Sequence, residues 1–192
     1  VVEIASGRVI QIGRGVHGQL SWAGTSLAAI RTGATTPTQV VVYDTSALAS
    51  SGNDAGEPPP RRVIDVGPVS GWEREPLVEP EPIQLQARDG ATLHGRLYRA
   101  DDPARGMICW LHGGPTDQWQ VTFMPRIAYW RSRGWHVWVP DHRGSTGHGR
   151  AYQQAMNERW GELDVTDIID AVRFAHSQAW ATPRETVMMG GS

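Results

Sequence analysis

Lysine is absent from this chain, and cysteine occurs once. All 18 basic residues are therefore Arg, set against 20 acidic ones. Charge is close to balanced, and no basic stripe or polybasic run stands out. That pattern argues against a nucleic-acid or anionic-membrane partner. Scattered Arg reads as compositional bias rather than as a lined site for carboxylates or phosphates. A single cysteine, Cys109, excludes a disulfide framework and a cysteine-based metal site within the chain. It stands in the run Met107-Ile108-Cys109-Trp110-Leu111 and reads as a small buried hydrophobe. No apolar run approaches the roughly 18 residues of a membrane-spanning helix. No signal-peptide pattern opens the sequence, so a cytoplasmic location is the expectation. The chain begins Val1-Val2-Glu3 without Met, and the true N-terminus is expected elsewhere. What is present suffices for a packed core: 40% of the 192 residues are hydrophobic and nine are Trp. The length suits one large domain or parts of two.

The two ends of the chain have different rhythms. Residues 8–12, 19–22, 27–31 and 39–43 are rich in Val, Ile and Leu. Gly15, Gly18, Gly24, Gly33 and Pro37 punctuate them. Short strands about ten residues apart predict an antiparallel all-β unit. One four-stranded propeller blade takes about 40–45 residues, which fits the space, but a single blade shows no repeat and a sandwich fits equally. Residues 46–60 are rich in Ser, Gly, Asn and Pro and read as a surface loop. Residues 76–82 read as a linker.

Beyond residue 82 the pattern changes. Ile83 and Leu85 alternate with Gln84 and Gln86, and Asp89-Gly90 predicts a tight hairpin turn before a strand over 93–98. The continuous apolar run 107–111 predicts a strand buried on both faces. Residues 125–133 predict a helix stopped by Gly134. Residues 135–139 predict another strand. Val165, Ile168, Ile169 and Val172 fall at i, i+3, i+4 and i+7 and define one helical face, with Asp164 as N-cap. Residues 186–189 predict a last strand. Strands alternating with helices imply a mostly parallel sheet covered on both faces.

The chemistry-bearing residues follow those strands. After the last one comes Gly190-Gly191-Ser192. In the nucleophile elbow G-x-S-x-G the serine occupies a sharp strand-to-helix turn, and small residues flank it because larger side chains would collide. Gly190 meets that requirement two residues before Ser192. After the strand 107–111 comes His112-Gly113-Gly114-Pro115. Acyl transfer places negative charge on the carbonyl oxygen, and glycines let backbone N–H groups approach it. After the strand 135–139 comes Asp141-His142-Arg143-Gly144-Ser145-Thr146-Gly147-His148-Gly149, a polar glycine-rich loop at the same sheet edge. Its spacing fits neither phosphate-binding glycine motif. Neither His142 nor His148 has further ligands at metal-binding spacing, so no metal and no cofactor are expected.

Taken together, four stretches resemble the prolyl oligopeptidase family of serine peptidases, in particular its acylaminoacyl-peptidase and dipeptidyl-peptidase-like members. They are Leu111-His112-Gly113-Gly114-Pro115, residues 141–149, Trp160-Gly161-Glu162-Leu163-Asp164-Val165-Thr166-Asp167, and Gly190-Gly191-Ser192, in the family's order and spacing. Upstream, Gly15-Val16-His17-Gly18-Gln19-Leu20-Ser21-Trp22 resembles the last part of the family's propeller.

The resemblance implies the N-terminal half of an α/β hydrolase domain (76–192) preceded by the C-terminal end of a β-propeller (1–75). It implies hydrolysis of short peptides through an acyl-enzyme, with Ser192 as nucleophile and the Gly114 N–H as oxyanion donor. His112, Gly113, Pro115, Arg143 and Gly144 would belong to the substrate-site loops. Family members often carry Asn-Tyr-Arg-Gly where this chain has Asp141-His142-Arg143-Gly144, which leaves the first two side chains without an assigned substrate contact. The partner would be a short peptide, with homo-oligomerisation through the hydrolase domain as a further expectation. In α/β hydrolases the acid and the histidine of the triad follow the serine. All seven His here precede Ser192, so residues 1–192 alone read as an incomplete, inactive fragment. The alternatives are an esterase or lipase, which shares the chemistry, and a non-catalytic fragment or interaction module.

Overall fold

The computed structural model describes residues 1–49, 59–69, 77–100 and 103–191. The chain divides into two compact units, Val1–Leu77 with Val121–Phe123, and Val78–Gln120 with Met124–Ser192.

The first unit is a four-stranded antiparallel sheet. Its strands β1 (Val16–Ala23), β2 (Ser26–Gly33), β3 (Thr36–Asp44) and β4 (Arg61–Val66) lie side by side in chain order. Leu27 and Ala29 of β2 and Val41 and Tyr43 of β3 form its buried cluster. Two corrections to the sequence reading arise here. Residues 8–12 form no strand, only a single bridge from Val9 to Val2. The fourth strand is β4 instead, whose Val41↔Val63 and Val42↔Arg62 pairings give it the partner that residues 8–12 lack. In the stretch read as a loop, a short 3-10 turn spans Ser46–Ala49, and residues 50–58 lie outside the described residues.

The second unit is built on a five-stranded sheet of β5 (Glu81–Gln86), β6 (Thr92–Tyr98), β7 (Gly106–Leu111), β8 (Trp135–Asp141) and β9 (Thr186–Gly190). Their spatial order is β5-β6-β8-β7-β9. The Asp89-Gly90 turn is present: Gly90 sits at φ +85°, and Asp89 Oδ1 accepts the Ala91 N–H at 3.1 Å. The sheet is less parallel than expected. β7 runs parallel to β8 and β9, whereas β6 is antiparallel to both its hairpin partner β5 and β8.

Among the described residues, three α-helices complete this unit: α1 (Pro125–Ser132), α2 (Arg150–Gln154) and α3 (Leu163–Ser177). Strand residues alternate between two cores. Met107, Cys109, Leu93, Leu97 and Trp138 meet Ala171 and Ala175 of α3. Ile108, Trp110, Val137, Val139 and Tyr98 meet Ile127 of α1. β7 is therefore buried on both faces, as its unbroken apolar run requires. α1 ends where expected, with Gly134 at φ +81° just past its last turn.

Helix α3 does not bury its whole apolar face. Its buried residues are Leu163, Asp167, Asp170, Ala171 and Ala175, while Val165 and Ile169 are 52% and 40% exposed. Asp164 is not the N-cap either; that position belongs to Glu162, and Asp164 lies in the first turn.

Gly95 of β6 lets Trp138 of β8 lie flat against the strand. A Cβ at Gly95 would stand 2.7 and 2.9 Å from two ring carbons of this fully buried indole. Gly95→Val is accordingly expected to cost about 1–3 kcal/mol through overpacking. A urea-unfolding midpoint equal to that of the parent protein would contradict this.

Candidate active site

Because β7, β8 and β9 are parallel, their C-terminal ends share one edge of the sheet, where open α/β sheets bind ligands. The three loops singled out in the sequence leave from that edge. His112-Gly113-Gly114-Pro115 follows β7, residues 142–149 follow β8, and Gly191 follows β9. Ser192 lies outside the described residues.

A cavity of about 490 Å³ opens here. It is lined by the 112–115 loop, His142, Gly191 and the Asp164, Val165, Ile168 and Ile169 side of α3. Three of the four residues of the apolar face, Val165, Ile168 and Ile169, thus border this cavity, while Val172 packs against the core. Asp164 Oδ1 is buried without a hydrogen-bond partner among the described residues.

Gly114 is exposed at this cavity, at φ +126°. A Cβ there would stand 2.9 Å from Thr116 N and 3.1 Å from Asp117 Cβ, so glycine alone fits the turn. The Gly114 N–H has no hydrogen-bond partner among the described residues. An exposed backbone donor at the edge of a cavity is what an oxyanion site requires.

His112 is buried, and its imidazole reaches Gly113 O through Nδ1 at 2.8 Å and Ser145 Oγ through Nε2 at 2.7 Å. Its ring stacks on that of His142 with centroids 4.7 Å apart. Burial pushes the His112 pKa below its ordinary value, with the neighbouring His142 adding to the effect. The neutral ring is therefore favoured.

Arg143 and Gly144 serve the loop's own architecture and do not line the cavity. The Arg143 guanidinium meets Asp167 of α3 at 2.6 Å and Asp89 at 2.7 Å, and the Arg143 N–H donates to Asp167 Oδ2 at 2.8 Å. Gly144, at φ +101°, lets Met156 pack against its bare Cα. Asp141 is also turned inward. Its carboxylate accepts from Arg96 at 2.5 Å and Gln118 at 3.0 Å and meets His148 at 2.9 Å. Of the two positions that differ from the Asn-Tyr pattern, only His142 faces the cavity. Sequence reasoning gave no role to His142 or Ser145; their signal was proximity to Arg143-Gly144 within one loop. Among the described residues, no three His, Cys, Asp or Glu side chains gather as a metal site.

Residues 121–192 match the model of the prolyl oligopeptidase family. The chain is 37% identical over 107 residues to Dipeptidyl peptidase family member 6 of Caenorhabditis elegans, covering 56% of this chain and 14% of that protein. It is 31% identical over 131 residues to Dipeptidyl aminopeptidase BIII of Pseudoxanthomonas mexicana, covering 62% and 19%. Among solved structures, a Mycobacterium tuberculosis puromycin-hydrolyzing peptidase superposes with a TM-score of 0.76 at 26% identity, over 91% of this chain and 26% of that one. A puromycin hydrolase superposes with a TM-score of 0.83 at 24% identity, over 99% and 29%, which establishes likeness of fold. The chain thus spans 14% and 19% of the length of these two curated relatives.

Proposed function

We propose that this chain supplies the nucleophile and one oxyanion donor of a serine peptidase that hydrolyses short peptides at aminoacyl or acylaminoacyl bonds. The observation that carries this reading is the exposed, unpartnered Gly114 N–H on a cavity that Gly191 also lines, one residue before Ser192. In the proposal, Ser192 attacks the substrate carbonyl while the Gly114 N–H holds the oxygen that becomes negative. Residues 1–75 form the last part of a propeller and residues 76–192 the first half of an α/β hydrolase domain. Two observations support the division: the antiparallel sheet of the first unit, and the superposition of 99% of the chain on 29% of a puromycin hydrolase. The acid and histidine of the triad are assigned to the remainder of a longer peptidase, following the usual α/β-hydrolase order.

Labelling the peptidase that carries this chain with a fluorophosphonate, then digesting with trypsin, tests the assignment. The label is expected on the peptide that begins at Glu185, at Ser192. Label on Ser145 or another serine, or turnover of aminoacyl and acylaminoacyl chromogenic substrates that survives Ser192→Ala, overturns it.

A further inference from the structure

The Gly114 N–H and the Gly113 carbonyl belong to one peptide plane. That peptide is trans, so its two polar groups point in opposite directions. Whatever fixes the carbonyl therefore aims the N–H. His112 Nδ1 lies 2.8 Å from Gly113 O. A carbonyl oxygen only accepts, so the contact requires the ring hydrogen on Nδ1.

A neutral imidazole carries one such hydrogen, and burial favours the neutral ring. Nε2 must then accept. Ser145 Oγ lies 2.7 Å away, and Ser145 is wholly buried. Its hydroxyl has a second acceptor within reach, His142 O at 2.7 Å, but that carbonyl already receives the Ser145 N–H at 3.0 Å. It is satisfied without the hydroxyl hydrogen, whereas Nε2 has no other donor among the described residues.

We infer that Ser145 and His112 form a positioning relay for the oxyanion donor: Ser145 O–H to His112 Nε2, His112 Nδ1–H to Gly113 O, and through the shared peptide plane the Gly114 N–H to the substrate oxygen. The inference rests on the reading of Gly114 as that donor. Both side chains are buried, and Ser145 does not line the cavity. Ser145 selects the tautomer, and the tautomer holds the peptide. Protonating the ring leaves the Nδ1–H bond in place, because Nε2–H then donates to Ser145 and the hydroxyl turns to His142 O.

Ser145→Ala removes the only donor to Nε2 among the described residues. The hydrogen is then free to leave Nδ1, and a bare Nδ1 repels Gly113 O. In the peptidase that carries this chain, kcat on an aminoacyl chromogenic substrate is expected to fall about ten-fold, part of the 10²–10³ lost when a donor is removed outright. A peptide boronate, which forms a tetrahedral adduct, should lose affinity by the same factor, while KM moves less than about two-fold. Ser145→Cys, which keeps the size and a hydrogen, should recover most of the loss. In His112→Asn the amide nitrogen stands in for Nδ1 and needs no tautomer, so adding Ser145→Ala there should cost less than about two-fold. Nitrogen-15 NMR of histidine-labelled protein, with His112 assigned by its absence in His112→Asn, should show the Nδ1–H form.

An Nε2–H form overturns the inference whatever the activity. So does an equal Ser145→Ala loss in both backgrounds, or a loss confined to KM. Failure of the function itself is read separately, as absence of label at Ser192.

Discussion

Gly114→Val is expected to lower kcat by about 10²–10³ while the protein stays folded. Two effects act together. The residue sits at φ +126°, where a β-branched side chain is strained. Its Cβ would also meet Thr116 N and Asp117 Cβ, so the 113–117 loop must shift and carry the N–H with it. The loop is exposed at this point, so the change has little core to disturb. Gly161→Ala provides the control. Gly161 has φ +78° with open space where a Cβ would stand, so that variant carries backbone strain of about 1–2 kcal/mol without moving a donor. Its kcat should match that of the parent protein. Steady-state kinetics on an aminoacyl chromogenic substrate, with circular dichroism to confirm folding, decides the matter. A Gly114→Val enzyme within about three-fold of the parent kcat would remove Gly114 from the oxyanion role.

Much of the second unit was legible because its signals are local. The 107–111 run could only be a doubly buried strand, and β7 is one. Asp89-Gly90 and Gly134 mark positions with positive φ that the chain itself announces. The first unit was harder to read, since a strand is defined by its neighbour. Residues 8–12 and 61–66 have similar composition, and only the pairing of β3 with β4 separates them. The antiparallel placement of β6 beside β8 likewise depends on which edge the hairpin joins, and no periodicity reports that.

In helix α3 hydrophobic periodicity found the helix and one of its faces, but not what that face borders. Its most apolar stripe, from Val165 to Ile169, borders the cavity, and the sheet side carries Asp167 and Asp170. Ala171 and Ala175 allow close approach to the sheet. The two carboxylates are tolerated there because Arg143 and Arg88 arrive from 24 and 82 positions away. A pattern search scores a buried Asp as an error unless it knows the partner. The same long-range pairing turns Arg143, which the family resemblance places in a substrate-site loop, toward Asp167. In the loops the types of residue were legible, but the direction of each side chain was not. Asp141 and Arg143 turn into the protein, and His142 between them faces the cavity.

Arg143→Leu is therefore expected to act on stability, by about 3–5 kcal/mol, because it strands a carboxylate rather than deleting a contact. Asp167 is 1% exposed and receives from Arg143 both the guanidinium and the backbone N–H. Leu keeps the N–H and removes the cation. The charge left behind has no water to return to, and proteins do not carry such a group without a partner at small cost. Two comparisons separate this from a general loss of surface charge. Arg88 makes a similar fork to Asp170, but its side chain is 48% exposed against 12% for Arg143. Water can replace part of what it gives, and Arg88→Leu should cost clearly less. The double variant Arg143→Leu with Asp167→Leu removes the stranded charge as well, and should recover a substantial part of the stability lost by Arg143→Leu alone. Urea unfolding of the three variants measures all of this. A cost for Arg143→Leu no larger than that for Arg88→Leu would show that the 141–149 loop is not anchored through Asp167. Arg143 would then be free to face the cavity.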